Sequence, residues 1–189
     1  DKLCQSCVGV AGAGGLGSVV AECLARAGVG HLVIADHDVV EPSNLNRQRY
    51  TLSQIGESKV HALAANLKQF VSQIDLTVEK IQLNKYNAAQ FFAPCPVVVE
   101  CFDCAQAKAE LITTLRRNLP DCIIVSASGL AGIDSTASIH IRAVSRNLYI
   151  VGDMVSEASP DSGLFASRVG VVASMQAHAA LRIILGETP

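Results

Sequence analysis

A glycine-rich motif, Gly12-Ala13-Gly14-Gly15-Leu16-Gly17, follows the apolar run 6–11 and is followed by apolar residues at helical spacing over 18–27. In such a strand–turn–helix unit Gly12 permits the tight turn, Gly14 lets a phosphate approach the backbone, and Gly17 lets helix and strand pack closely. The helix N-terminus then offers free N–H groups and partial positive charge to an anion. The motif predicts a nucleotide site to which Gly12, Gly14, Gly15 and Gly17 all contribute.

Strand-length apolar runs alternate with helical patterns through the first two thirds of the chain. The strand-like runs are 6–11, 31–35, 76–81, 97–100 and 122–127, and the helical patterns are 18–27, 59–70, 88–92 and 106–118. This β-α alternation is typical of a mostly parallel sheet that is covered by helices on both faces. We therefore expect an α/β, Rossmann-like fold.

The pattern changes after Gly129. Alternation of apolar and polar residues over 136–142 predicts a half-exposed strand, with 148–151 as its partner, and we expect a short antiparallel extension at the sheet edge. Residues 156–166 are rich in Ser, Pro, Asp and Gly and predict a loop. Residues 167–185, small and apolar almost all round, predict a well-buried closing helix.

Length and charge narrow the class of protein. The chain has 189 residues, which predicts one domain over 1–189, and its net charge of −2 gives no basic field for nucleic acid or an anionic membrane. No apolar run approaches the roughly 20 residues of a membrane span.

Only 17% of the residues are charged, so we expect a second copy to cover part of the surface, as a homodimer. The start lacks Met and a secretion signal, so we expect it to lie inside a longer native sequence.

Seven cysteines, an odd number, predict free thiols in a reducing compartment, hence the cytoplasm. Two Cys-x-x-Cys pairs, Cys4/Cys7 and Cys101/Cys104, have the spacing of zinc ligands. We expect no zinc, because the pairs are far apart in sequence and Cys7 and Cys101 lie in or beside predicted buried strands.

An acidic residue and a polar loop come after the second strand-like run. Asp36 ends that run about 20 residues after Gly17, where Rossmann-type folds have the acid that accepts hydrogen bonds from ribose hydroxyls. The motif and this acid do not separate a dinucleotide from ATP. The loop that follows is unlike that of a dehydrogenase, and its polar residues include Asp38, Asn44, Asn46, Arg47 and Gln48.

Three charged residues favour ATP. Arg47, as a fork, and Lys59, as a point charge at the start of a helix, can neutralise a triphosphate. Asp103 follows the run 97–100 at the carboxyl end of a predicted parallel strand, where a carboxylate facing phosphates is a natural Mg²⁺ ligand. Purely structural roles also remain open for two of these residues. Asn44 can shape its loop, and Asp103 can cap the helix that begins near Ala105.

On these residues the chain resembles the ubiquitin-activating-enzyme superfamily, which includes the ThiF, MoeB and HesA proteins. It is most similar to short ThiF-type adenylyltransferases that act on the sulfur carrier ThiS. The resemblance covers nearly the whole chain, including the stretch 12–59, the surroundings of Asp103 and three shorter motifs. These motifs are Ala127-Ser128-Gly129, Asn147-Leu148-Tyr149 and Arg168-Val169-Gly170.

The resemblance implies that ATP and the C-terminal Gly-Gly of a small ubiquitin-like protein meet at this sheet edge, in thiamine biosynthesis or a related sulfur pathway. The Gly-Gly carboxylate would attack the α-phosphate and give an acyl-adenylate and pyrophosphate. Asp36 would hold the ribose, Lys59 would contact the phosphates from its helix, and Asp103 would hold Mg²⁺. The residues implied to line the ATP phosphates are Asp38, Asn44, Arg47 and Gln48, with Asn46 beside them. Catalysis would rest on Asp103, Arg47 and Lys59.

The chain departs from the superfamily pattern in three ways. It has no later Cys-x-x-Cys pairs, the loop 159–164 has no cysteine for a thioester or persulfide, and no arginine precedes Arg26 to complete a partner's ATP site.

Two other functions stay open. An NAD-dependent oxidoreductase fits the glycine motif but lacks a His or Tyr–Lys pair placed for hydride chemistry, and a non-catalytic subunit would bind a carrier without adenylating it.

Overall fold

The structure, a computed structural model, describes residues 2–159 and 162–189. The strands are β1 (Cys7–Ala11), β2 (His31–Asp36), β3 (Asp75–Lys80), β4 (Val97–Glu100), β5 (Ile123–Ala127), β6 (His140–Ser145) and β7 (Leu148–Gly152). The α-helices are α1 (Gly15–Arg26), α2 (Lys59–Lys68), α3 (Ala88–Phe91), α4 (Ala105–Asn118) and α5 (Ala166–Leu185). Short 3₁₀ turns lie at Pro42–Asn44, Leu52–Gln54 and Thr136–Ser138.

The seven strands form one sheet in the order β3-β2-β1-β4-β5-β7-β6. Every neighbouring pair is parallel except β6 and β7, which are antiparallel at the edge of the sheet. The chain moves outward from β1 to β3 and then returns to β4 on the other side of β1. This reversal makes the carboxyl ends of β1 and β4 the point where open α/β sheets bind ligands. The predicted Rossmann-like α/β class and its antiparallel extension are confirmed.

Helices cover both faces of the sheet, because the strand side chains alternate between two apolar cores. Val8 and Val10 belong to the core that includes residues of α1, α2 and α5. Val33 and Val98 point to the opposite core, where they join Leu115 and other residues of α3 and α4.

Two predictions near the C-terminus need correction. The strand predicted over 136–142 begins only at His140, because the Ser135 hydroxyl accepts a hydrogen bond from the Ala137 N–H and turns the chain into a 3₁₀ turn. Helix α5 is buried along one face only, and Ser174 and His178 on its other face are exposed. Of the loop predicted over 156–166, Pro160 and Asp161 lie outside the described residues. Within 2–159 and 162–189, every helix is too short or too polar to span a bilayer.

A buried ion pair ties α5 to the loop after β7. Arg168 Nη2 lies 2.6 Å from Asp153 Oδ2, and the two side chains are only 3% and 9% exposed. The other carboxylate oxygen of Asp153 accepts the N–H groups of Val155 and Ser156 at 2.8 Å. Burial alone would raise the pKa of Asp153, but these N–H donors and the Arg168 guanidinium outweigh it and lower the pKa to about 2. Arg168 also donates to the carbonyl of Ser135.

Replacing Asp153 by Asn is expected to destabilise the fold by about 3 kcal/mol at neutral pH, because it leaves the Arg168 charge buried without a counter-ion. The folded-state pKa of Asp153 lies below its unfolded value, so this difference is complete above about pH 4. It shrinks as the pH falls towards the folded value of about 2. Urea unfolding of wild type and Asp153→Asn between pH 7 and pH 2.5 measures the difference, with exposed Asp121→Asn as the matched control. A constant difference over that range would contradict this explanation.

Candidate nucleotide site

The glycine loop has the geometry that its spacing predicts. Gly12 adopts a left-handed backbone with φ of +96°, which side chains disfavour. A Cβ on Gly17 would lie 1.8 Å from the Gly12 carbonyl oxygen, so the first turn of α1 can approach β1 only with glycine there. The Cβ position of Gly15 is 3.2 Å from the Val169 side chain and 3.4 Å from that of Arg47. A glycine here lets both side chains pack closely against the start of α1.

Asp36 fastens the glycine loop to the polar loop. Its Oδ2 accepts the Ala13 N–H at 2.6 Å, and its Oδ1 accepts the Asp38 N–H at 2.8 Å. Tyr50, which sequence reasoning missed, adds a second tie: its buried hydroxyl contacts the carbonyls of Ala13 (2.6 Å) and Lys59 (3.2 Å). Both residues therefore fix the loops that surround the site.

A cavity of about 360 Å³ opens beside these loops. Its walls come from the loop after β2, the first turn of α2 and the loop between β4 and α4. The lining residues are His37, Asp38, Val39, Glu41, Asn44, Arg47, Gln48, Lys59 and Asp103. Three segments far apart in sequence thus bring six of the predicted site residues together. Among the described residues, this lining does not include Asp36, Asn46 or the four glycines, and their contact with a nucleotide stays a prediction.

Lys59 and Asp38 form an ion pair inside the cavity. Lys59 Nζ lies 2.7 Å from Asp38 Oδ2, and the Lys59 side chain is only 7% exposed. Burial would raise the pKa of Asp38, but the hydrogen bond and charge of Lys59, with a smaller effect of His37, outweigh it and lower the pKa. The Asp38 carboxylate thus holds the Lys59 ammonium at the cavity wall, and its contact with the ATP phosphates stays a prediction.

The polar loop positions two further side chains. Asn44 shapes the loop, because its Oδ1 accepts the Glu41 N–H at 3.0 Å while its side chain also lines the cavity. Arg47 Nη1 donates to Asn46 Oδ1 at 2.8 Å, so Asn46 contacts the guanidinium although it does not line the cavity itself. Gln48 is 8% exposed, and its Oε1 is buried without a hydrogen-bond partner among the described residues. An orphaned polar atom in a cavity wall is typical of a ligand site.

Asp103 projects from the loop between β4 and α4 and is exposed. Its carboxylate has no hydrogen-bond or ion-pair partner within the described part of the chain, and the residue before α4 is Cys104, so Asp103 does not cap that helix. A free carboxylate on a cavity wall is suited to a divalent cation.

A group of three possible metal ligands lies nearby, but its two carboxylates already have hydrogen-bond or ion-pair partners. The side chains of Asp36, His37 and Asp38 offer ligand atoms within 4.8 Å of one another. Asp36 is bonded to backbone N–H groups, and Asp38 is bonded to Lys59 and lies 3.3 Å from His37. In the described residues the four cysteines of the two Cys-x-x-Cys pairs do not form such a cluster. All seven cysteines are free, and the absence of zinc stays a prediction.

A glycine loop at the strand-order reversal, two cations and a free carboxylate are the features expected of a nucleotide site in an α/β domain. The ThiF family model matches residues 1–189, and the chain belongs to the ThiF family.

Curated relatives share about a third of their residues with the chain. It is 32% identical over 192 residues to the adenylyltransferase and sulfurtransferase UBA4 of Candida glabrata, which covers 98% of the chain and 44% of that protein. It is 32% identical over 191 residues to the adenylyltransferase and sulfurtransferase MOCS3 of Aedes aegypti, covering 99% and 44% respectively. The chain therefore spans less than half the length of these relatives.

Solved structures share the fold. The tRNA N6-threonylcarbamoyladenosine dehydratase TcdA of Escherichia coli, in complex with AMP, superposes with a TM-score of 0.87 at 22% identity, covering 98% of the chain and 88% of that protein. Escherichia coli MccB with ATP gives 0.73 at 20% identity, covering 97% and 57%. These likenesses establish the architecture.

Replacing Gly17 by Ala is expected to destabilise the protein by about 3 kcal/mol, because the new methyl group meets the Gly12 carbonyl and pushes α1 away from β1. Gly170 is the matched control, since it lies inside α5 with open space around its Cβ position. Gly170→Ala should be neutral or stabilising by up to about 1 kcal/mol. Thermal unfolding of both variants measures the difference. Equal effects of the two substitutions would refute the close-approach explanation.

Proposed function

We propose that the protein transfers AMP from ATP to the C-terminal carboxylate of a ubiquitin-like sulfur carrier of the ThiS type. The product is an acyl-adenylate, and pyrophosphate is released. The proposed unit is one adenylation domain over 1–189. The observation that carries the proposal is the cavity in which Arg47, Lys59 and Asp103 come together, beyond the carboxyl ends of β2 and β4. The names of the curated relatives, adenylyltransferase and sulfurtransferase, support it.

The charge around the cavity supports ATP together with Mg²⁺. The lining has two cationic side chains, Arg47 and Lys59, and three anionic ones, Asp38, Glu41 and Asp103. A triphosphate alone would add its negative charge to a lining that is already net negative. Bound Mg²⁺ would supply the missing positive charge, and Asp103 is the residue that we propose holds it, because its carboxylate is free.

The remaining roles follow from position. Arg47 and Lys59 neutralise the phosphates. Gln48, whose Oε1 has no partner among the described residues and whose Nε2 is 3.8 Å from the Cβ position of Gly14, bonds the nucleotide through its amide group. Asp36 has lone pairs left on both oxygens after binding two N–H groups, so it can also accept from the ribose hydroxyls.

The chemical step requires little from the protein beyond positioning. A carboxylate oxygen of the carrier forms a bond to the α-phosphorus of ATP, and the bond from that phosphorus to the bridging oxygen breaks. Pyrophosphate leaves with the electron pair. The attacking carboxylate is ionised at pH 7, so no general base is needed. Arg47 and Lys59 offset the charge that develops on the phosphates and hold them in line.

Assembly and location belong to the same proposal. We propose a homodimer, which the low charged fraction of 17% supports because a surface poor in charge is suited to cover by a second copy. We propose a cytoplasmic location, which seven free cysteines support. A place in thiamine biosynthesis rests on the resemblance alone and stays a prediction.

Carrier-dependent exchange of labelled pyrophosphate into ATP tests the function. Wild type should catalyse exchange only when a carrier with an intact C-terminal Gly-Gly is present. Asp103→Ala should reduce exchange by at least about 100-fold, because it removes the proposed metal ligand. Asp121→Ala, at an exposed acid between α4 and β5, is the matched control and should leave the rate unchanged. Exchange without a carrier, or full activity of Asp103→Ala, would rule out the proposed roles. Carrier binding without exchange would instead support a non-catalytic subunit.

A double-variant cycle tests the pairing of Lys59 with Asp38. Lys59→Met should weaken ATP binding by about 30-fold, since it removes a cation and leaves the Asp38 carboxylate facing the phosphates. Adding Asp38→Asn should recover several-fold of that loss, because the repulsive charge is gone. Calorimetric titration with ATP and Mg²⁺ measures both effects, and purely additive losses would contradict the coupling.

A further inference from the structure

Glu100 is a fully buried carboxylate at the last position of β4. Its Oε1 accepts the Phe102 N–H at 2.7 Å. Its Oε2 accepts hydrogen bonds from Lys108 Nζ and Ser126 Oγ, both at 2.5 Å. Sequence reasoning gave this acid no role, although a charged residue at the end of a continuous apolar strand is an unusual feature.

The three donors come from three separate segments of the chain. Phe102 belongs to the loop between β4 and α4, Lys108 to α4 and Ser126 to β5. The backbone of Glu100 is fixed as well, because Gln176 Nε2 from α5 donates to its carbonyl at 2.9 Å. Glu100 therefore fixes the start of the loop relative to two strands and two helices.

Asp103 is the next residue after Phe102 in that loop. The loop also packs on the glycine turn, where the Cβ position of Gly12 is 3.1 Å from the Cys101 carbonyl and 3.2 Å from the Phe102 ring. The place of the Asp103 carboxylate at the cavity wall is thus determined by the Glu100 bond on one side and by the glycine turn on the other.

Stability alone gives no reason for this arrangement. A buried ion pair is often no more stabilising than apolar side chains of the same size, because both charges lose their water. A carboxylate that accepts from three fixed donors does, however, define one geometry and exclude others.

We propose that Glu100, with Lys108 and Ser126, is a positioning device that holds the Asp103 loop where the Asp103 carboxylate meets the Mg²⁺ of the nucleotide. The inference rests on the proposed adenylation. Glu100 touches neither ATP nor carrier in this account; it acts through Phe102 and Asp103.

The substitution Glu100→Gln tests the device. Glutamine has one acceptor oxygen in its amide group, so it cannot satisfy both Phe102 N–H and the pair Lys108 and Ser126. Amide hydrogen exchange in the peptide 101–107 should become about 10-fold faster, because the loop opens more often. The Mg²⁺ concentration that gives half-maximal pyrophosphate exchange should rise about 10-fold, and kcat should fall by about 10- to 100-fold. The KM for ATP at saturating Mg²⁺ should stay within about 2-fold of wild type.

Three further variants sharpen the result. Glu79→Gln, at an exposed acid on the edge strand β3, is the matched control and should match wild type in every measurement. Lys108→Arg keeps the charge and should retain the wild-type Mg²⁺ requirement within about 3-fold. If Glu100→Gln does not fold, Ser126→Ala replaces it; this removes one of three donors and should raise the Mg²⁺ requirement by a smaller factor.

Failure of the inference and failure of the proposed function give different results. Wild-type loop exchange rates and Mg²⁺ requirement in Glu100→Gln would overturn the positioning role, even if the melting temperature falls. If wild type shows no pyrophosphate exchange with any carrier, the proposed function fails. Hydrogen exchange in 101–107 and the Mg²⁺ dependence of ATP binding then decide the positioning role without catalysis.

Discussion

The close approach of α1 to the end of β1 is the constraint on which the site depends. With Gly17 against the Gly12 carbonyl, the first turn of the helix lies directly on the turn that ends β1. Asp36 and Tyr50 hold the same glycine loop from β2 and from the polar loop. A larger residue at position 17 would shift the helix and every group that is bonded to the loop.

Charge organises the rest of the cavity. Lys59 is held by Asp38 inside the cavity wall, and Arg47 donates a hydrogen bond to Asn46 at the surface, so both cations have partners before any ligand arrives. Preformed positive groups avoid reorganisation at the moment when charge develops on the phosphates. Asp103 stays free in the described structure, while the carboxylate of Glu100, three residues earlier, is fully engaged. Asp103 thus faces the cavity, while Glu100 holds the loop that carries it.

The fold was predictable because its signals are local. The alternation of strand-like and helical runs, and a glycine motif between the first pair, specify a parallel sheet without knowledge of distant contacts. The turn at Thr136–Ser138 escaped prediction because a single hydroxyl of Ser135 overrides an alternating pattern. The convergence of Asp38, Arg47, Lys59 and Asp103 on one cavity was also predictable, since strands end at one edge of the sheet. Their pairing was not: the Lys59–Asp38 and Glu100–Lys108 contacts join residues whose proximity only the packed structure determines.

The position of the metal tests the account most directly. Crystals of the protein grown with Mn²⁺ and a non-hydrolysable ATP analogue would reveal the metal by its anomalous scattering. We expect a peak at ligand distance from the Asp103 carboxylate, about 2.1 Å as for Mg²⁺, with the phosphates beside Arg47 and Lys59. A peak bound instead by Asp36, His37 and Asp38, or a nucleotide outside the cavity, would contradict it.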